Sequence, residues 1–194
     1  RDAAELAALL EDRAVAVVYI ATPHALHEAQ AMAAIAAGKH VLCEKPMTIS
    51  AAATARLIDA ARHRGVLLME AFMYRSHPLI AALIERFRSG AIGRLRHIRA
   101  DFGFHAERQA GHRLFDPALG GGAILDVGGY PMSFARLFAG VAIGQPYAEP
   151  VGLRAARHLG PTGVDELSTA LLRFESAISA ELTCAIRHRI GTSA

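Results

Sequence analysis

Tryptophan is absent from this chain, lysine occurs twice and cysteine twice. Cys43 and Cys184 cannot build a disulfide framework, and neither stands in a Cys-x-x-Cys pair. No apolar run approaches the roughly 20 residues needed to span a bilayer. No signal peptide is recognisable, so a cytoplasmic protein with no membrane partner is expected. Like charges never gather into a basic block, no basic stretch is interleaved with aromatics, and aromatics are only 6% of residues. The formal charge of +3 therefore reads as surface composition, and no nucleic-acid partner is expected. His24 and His27 form a His-x-x-His pair, but no third ligand follows at a recognisable spacing, so no metal is expected. At 53% hydrophobic the chain is too apolar to be disordered.

The scarcity of lysine is itself informative. The 194 residues hold 40 Ala and 19 Arg against 2 Lys. Wherever a generic cation suffices, this chain carries arginine, so Lys39 and Lys45 stand out. An ammonium can exchange its proton near neutral pH, while a guanidinium cannot.

Asp2 to Glu11 reads as a helix end. Val15 to Ala21 is a continuous β-branched run, the pattern of a strand buried on both faces of a parallel sheet. Thr22-Pro23 then supplies an N-cap residue and a proline for the first helical position, with the helix running to about Ala37 and stopping at Gly38. His40 to Cys43 is a short strand, Ser50 caps a helix closed by Gly65, and Val66 to Met69 is a third strand. This order predicts right-handed βαβ units, a Rossmann-like parallel α/β sheet. After residue 71 the pattern changes. A helix from Pro78 to Ser89, a half-buried strand from Arg94 to Phe104, a Gly-rich turn with a helix to about Gly140, and strands over 149–157, 166–174 and 178–186 follow. The last three leave no room for crossover helices between them. An α+β domain with a mostly antiparallel open sheet is expected over 72–194, after a dinucleotide-binding part over 1–71.

Three motifs carry chemistry. Thr22-Pro23-His24-Ala25-Leu26-His27 stands where a buried strand hands over to a helix, the edge at which doubly wound sheets bind ligands. From local sequence alone, an ordinary capped helix start is an equal reading. Glu44-Lys45-Pro46 puts an acid, a rare lysine and a φ-locked proline at the same edge. In Gly120-Gly121-Gly122 and the segment after it, glycines permit close backbone approach. A helix through Tyr130 would set Asp126 and Tyr130 on one face.

Together these motifs resemble the glucose–fructose oxidoreductase / inositol dehydrogenase family (Gfo/Idh/MocA). That family's pattern is a Glu-Lys-Pro tripeptide after a buried strand, then a Gly-Gly-Gly turn and Asp-x-x-x-His/Tyr about 80 residues on. The Tyr form, with Glu70-Ala71-Phe72-Met73-Tyr74-Arg75 and the run from Phe115 to Gly122, is most similar to the dihydrodiol dehydrogenase / xylose dehydrogenase branch. The resemblance extends from about Ala3 to the end.

The resemblance implies an NAD(P)-dependent oxidoreductase moving a hydride between nicotinamide and a hydroxyl or carbonyl carbon of a sugar, polyol or dihydrodiol. Its branch favours NADP over NAD. Lys45 would be the catalytic lysine, Tyr130 the proton donor and acceptor, and Asp126 an aid to substrate orientation. Thr22, Pro23, His24, His27, Glu44, Lys45 and Pro46 would face the cofactor, with the Lys45–Pro46 peptide cis. Arg75, Tyr74 and Phe72 would lie toward the substrate, and Met73, Phe102 and Phe104 are further candidates for its pocket. Free tyrosine ionises near pH 10, too high for an efficient base, and a neighbouring ammonium corrects this. The family associates through the face of its antiparallel sheet, which implies a homodimer or homotetramer. It also opens with a strand and a GxGxxG turn, which no segment before residue 22 supplies. The chain is therefore expected to be truncated at both ends, with the activity belonging to its full-length parent. The alternative is a non-catalytic nucleotide-binding member or an inactive fragment.

Overall fold

The computed structural model describes residues 3–109, 111–175 and 177–193. The chain divides into two compact units, residues 1–72 and 73–194.

The first unit begins with α1 (Ala3–Glu11) and continues as β1 (Val17–Ile20), α2 (His27–Ala36), β2 (His40–Cys43), α3 (Ala51–Arg64) and β3 (Leu68–Glu70). The three strands pair in the order β1-β2-β3, all parallel. Local chemistry sets the helix ends. Ser50 Oγ accepts the Ala53 N–H at 3.2 Å, and Gly65 closes α3 in the left-handed conformation. Small side chains on α2 (Ala31, Ala34) and α3 (Ala61), with Ile35 and Leu57, pack in one core with Val18, Ile20, Val41 and Cys43. Lys39 is structural: it is buried, and its Nζ donates to the Asp12 carbonyl at 2.7 Å.

Two expectations need correction here. β1 is buried on one face only, with Val18 and Ile20 inside and Val17 and Tyr19 exposed at 58% and 57%. An unbroken apolar run shows that both faces can be covered; it does not show what covers them. The segment after Thr22-Pro23 starts as a 3-10 turn, His24–Leu26, and α2 begins only at His27. Pro23 flanks that turn, and Thr22 Oγ1 donates to the Gln30 side chain at 2.7 Å, so Thr22 is no N-cap.

The second unit holds a 3-10 turn (Met73–Ser76), α4 (Pro78–Arg88), β4 (His97–His105), a π turn (Ile124–Gly128), α5 (Gly129–Ala142), β5 (Gly152–Leu159), β6 (Asp165–Arg173), β7 (Ser179–Ala185) and β8 (Arg187–Ser193). Its sheet order is β5-β6-β7-β4-β8. It is mixed: β5–β6, β6–β7 and β4–β8 are antiparallel, but β4 and β7 run parallel. The stretch between β4 and β7 contains α5, which gives room for a crossover that neighbouring strands lack. Ala135, Phe138 and Ala139 of α5 pack with Ile98, Ala100, Leu172, Phe174, Ala180 and Leu182 of the sheet region, and Phe87 of α4 meets Phe138 at 5.3 Å.

The α3 cap is directly testable. Ser50→Ala leaves the Ala53 N–H without its side-chain acceptor and lowers stability by about 1 kcal/mol. The expected readout is a lower urea midpoint with an unchanged slope.

Candidate active site

The ladder of the first unit ends in register, Ile20 opposite Cys43 and Cys43 opposite Glu70. It extends one step further, the Glu44 N–H donating to the Ile20 carbonyl and the Ala71 N–H to the Cys43 carbonyl, both at 2.8 Å. The Thr22 loop and the Glu44-Lys45-Pro46 turn therefore leave the sheet side by side at its carboxyl edge, where parallel sheets bind ligands. Thr22, Glu44, Lys45 and Pro46 are half-buried and Pro23 is exposed, so a ligand can touch them. The Lys45–Pro46 peptide is cis.

This edge is braced from two sides. On the open face Tyr19 Oη donates to Glu44 Oε1 at 2.6 Å, a bond that holds the Tyr19 phenol above the usual tyrosine range. On the inner side Glu70 Oε1 accepts the Met47 N–H at 2.7 Å. Burial raises the Glu70 carboxyl above the usual range, while the Met47 N–H and His27 draw it back. His24 and His27 are buried, with their rings edge-on at 5.8 Å, and His27 reaches no solvent. Whatever His27 contributes to holding a cofactor therefore passes through the loops it touches.

In the second unit Tyr130, at the start of α5, lines a cavity of about 310 Å3 with Met73, Tyr74, Ala100, Asp101, Phe102, Pro131, Phe134 and Ser193. The Tyr130 ring lies 5.4 Å from Phe102 and 6.3 Å from Tyr74. Tyr74 shares a 2.8 Å hydroxyl–hydroxyl hydrogen bond with Ser133, and its burial pushes the phenol up. Met73, Tyr74 and Phe102 thus gather around Tyr130. Phe104 packs instead in the cluster of Leu114, Phe115 and Val127. Arg75 is exposed, Phe72 belongs to the first unit, and neither lines this cavity.

Asp126 is buried within the π turn, and its Oδ1 accepts from Arg113 Nη1 at 3.0 Å. The glycine turn before it is packed against the chain itself. A Cβ on Gly121 would stand 2.6–2.9 Å from the carbonyl oxygens of Leu114, Arg113 and Asp116, and one on Gly122 would collide with the Asp165 carboxylate, so the close approach these two glycines permit is to the chain itself. Sequence reasoning missed Arg113, Ser133, Phe134 and Tyr19. No motif surrounds them, and each matters through a partner distant in sequence. No group of histidine, cysteine and carboxylate side chains among the described residues could hold a metal ion. No helix among them is long and apolar enough to cross a membrane.

Two family models divide the chain between them. Residues 1–72 match the oxidoreductase family with an NAD-binding Rossmann fold, and residues 80–193 match the GFO/IDH/MocA C-terminal domain. The chain belongs to the Gfo/Idh/MocA family. It is 38% identical to a trans-1,2-dihydrobenzene-1,2-diol dehydrogenase of Macaca fuscata fuscata, over 96% of this chain and 53% of that protein. It is 39% identical to a D-xylose 1-dehydrogenase (NADP(+)) of Haloferax volcanii, over 90% of this chain and 51% of that protein. Among solved structures, a 3-ketoreductase from Actinomadura kijaniata in complex with NADP and TDP-benzene superposes with a TM-score of 0.81. It is 37% identical, over 94% of this chain and 54% of that one. The chain thus spans about half the length of the curated relatives it matches.

Neither thiol can serve as a nucleophile in the folded chain. Burial pushes both Cys43 and Cys184 up to about 12, so at pH values well below that they stay protonated and unreactive. Iodoacetamide at mildly alkaline pH is expected to leave both unmodified in the folded protein and to alkylate both in urea.

Proposed function

We propose that the protein carrying this chain is an oxidoreductase that uses NADP(H) to interconvert a hydroxyl and a carbonyl on a sugar, polyol or dihydrodiol. The observation that carries this reading is Glu44-Lys45-Pro46 at the carboxyl edge of a parallel ladder, in a chain whose first unit matches an NAD-binding Rossmann model. The residues fit such a cofactor: three strand ends stand in one row, with half-buried Thr22, Glu44, Lys45 and Pro46 able to meet a ligand. Thr22, Pro23, Glu44, Lys45 and Pro46 would hold it, with His24 and His27 beneath them. When bound, the nicotinamide supplies or accepts the hydride.

The chain's own groups manage the proton. Tyr130 donates a proton to the carbonyl oxygen in reduction and takes it back in oxidation. Lys45 supplies a positive charge that polarises the reacting oxygen. Asp126, fixed by Arg113, orients substrate hydroxyls. The aromatic walls around Tyr130 suit a substrate ring that offers one apolar face, a feature that sugars and cyclic diols share. Arg75 and Phe72 keep a substrate role only as part of this proposal. Self-association through the second unit's sheet, where Leu153 and Leu171 are exposed, and a cytoplasmic location complete the reading.

Turnover tests it, followed by the absorbance of reduced nicotinamide with aldoses and cyclic diols or diketones as substrates. Lys45→Arg and Tyr130→Phe are each expected to lower kcat by roughly 10²- to 10⁴-fold with circular dichroism unchanged. Near-normal turnover in either variant removes that residue from the mechanism. No nicotinamide-dependent turnover in the unmodified protein sinks the reading itself.

A further inference from the structure

His27 lies wholly inside the first unit, at 0% exposure. Its Nδ1 stands 2.8 Å from the Pro46 carbonyl oxygen, and its Nε2 stands 2.8 Å from the Thr22 carbonyl oxygen. A carbonyl oxygen only accepts, and a neutral imidazole has one N–H to give. In the neutral form one ring nitrogen would meet its carbonyl lone pair against lone pair, at hydrogen-bonding distance and away from solvent. Protonation at both nitrogens turns both contacts into charge-assisted hydrogen bonds.

The added charge has a counterpart. Glu70, half-buried at the end of β3, interacts electrostatically with His27 while accepting the Met47 N–H at 2.7 Å. His24 packs edge-on against the ring. Glu28, the next residue in α2, is turned to Arg56 at 2.6 Å. Among the described residues, Glu70 is the carboxylate that interacts with His27.

We propose that His27 is an imidazolium, balanced by Glu70, that ties the Thr22 loop to the Lys45-Pro46-Met47 turn and so fixes where Lys45 points. It is a positioning residue, acting through the Pro46 and Thr22 carbonyls. Its effect on turnover rests on the reading of Lys45 as catalytic; its protonation state does not.

The experiment is ¹⁵N NMR of the full-length protein labelled at histidine, near neutral pH. The expected result is one ring with both nitrogens protonated and both N–H protons slow to exchange. His27→Gln assigns it by loss of the signal. If that variant does not fold, the ring is assigned in the unmodified protein by its magnetisation contacts with Thr22 and Pro46. A His27 ring with one bare nitrogen overturns the proposal. Glu70→Gln keeps an acceptor for the Met47 N–H but removes the counter-charge. It is expected to strip the second proton from His27 and to lower kcat roughly 10- to 100-fold, through a displaced Lys45, with little change in the Kd for NADPH. A Glu70→Gln protein with unchanged kcat overturns the positioning role. Absence of turnover in the unmodified protein would defeat the oxidoreductase reading and leave the ring measurement to decide on the imidazolium.

Discussion

Ile20, Cys43 and Glu70 stand in register across three parallel strands, so the segments that follow them leave the sheet along one line. Parallel pairing gives each strand end the same orientation, and helices α2 and α3 hold the ladder from one face. Without that alignment Glu44-Lys45-Pro46 would be a surface turn like any other. With it, a half-buried lysine stands beside the Thr22 loop, braced by Tyr19 through Glu44 on one side and by Glu70 through Met47 on the other. The bracing of this turn comes from residues distant in sequence.

The second unit works by different means. Its cavity is shaped by side-chain packing on a mixed sheet, and its polar groups are few. Tyr130 enters it between Phe102 of β4 and Tyr74 of the turn before α4, while Ser133, one helical turn further on, secures the Tyr74 hydroxyl. A phenol held among rings keeps a definite direction.

How much of this could be read from the sequence follows the range of the interactions. The helix Ala51–Arg64 was legible because Ser50 and Gly65 act within one turn of its ends. Lys45 stands out in the sequence because arginine has displaced lysine almost everywhere else. The parallel β4–β7 pair was not legible, because it joins His97 to Ser179 across a long crossover, and the close spacing of β5, β6 and β7 says nothing about which strand accepts β4. The exposed face of β1 was hidden by its own composition, since Val17 and Tyr19 are as apolar as the buried residues between them. At the site, His24 and His27 read as a pair from their spacing, but that spacing cannot show the His27 ring turned inward onto the Pro46 carbonyl. Asp126 was singled out while its Arg113 partner was not, because irregular chain separates the two.

The π turn Ile124–Gly128 stands between the glycine turn and the core-facing helix α5. An extra residue in a helical turn advances everything after it by about 100°. Pro131, Ala135 and Phe138 fix the rotation of α5 by their burial, and Arg113 fixes Asp126 from the other end. The turn absorbs the mismatch between these two anchors. In evolutionary terms it is an adjustable joint. A lineage that gains or loses one residue there can turn Asp126 and the glycine turn relative to Tyr130 while α5 stays seated in the hydrophobic core.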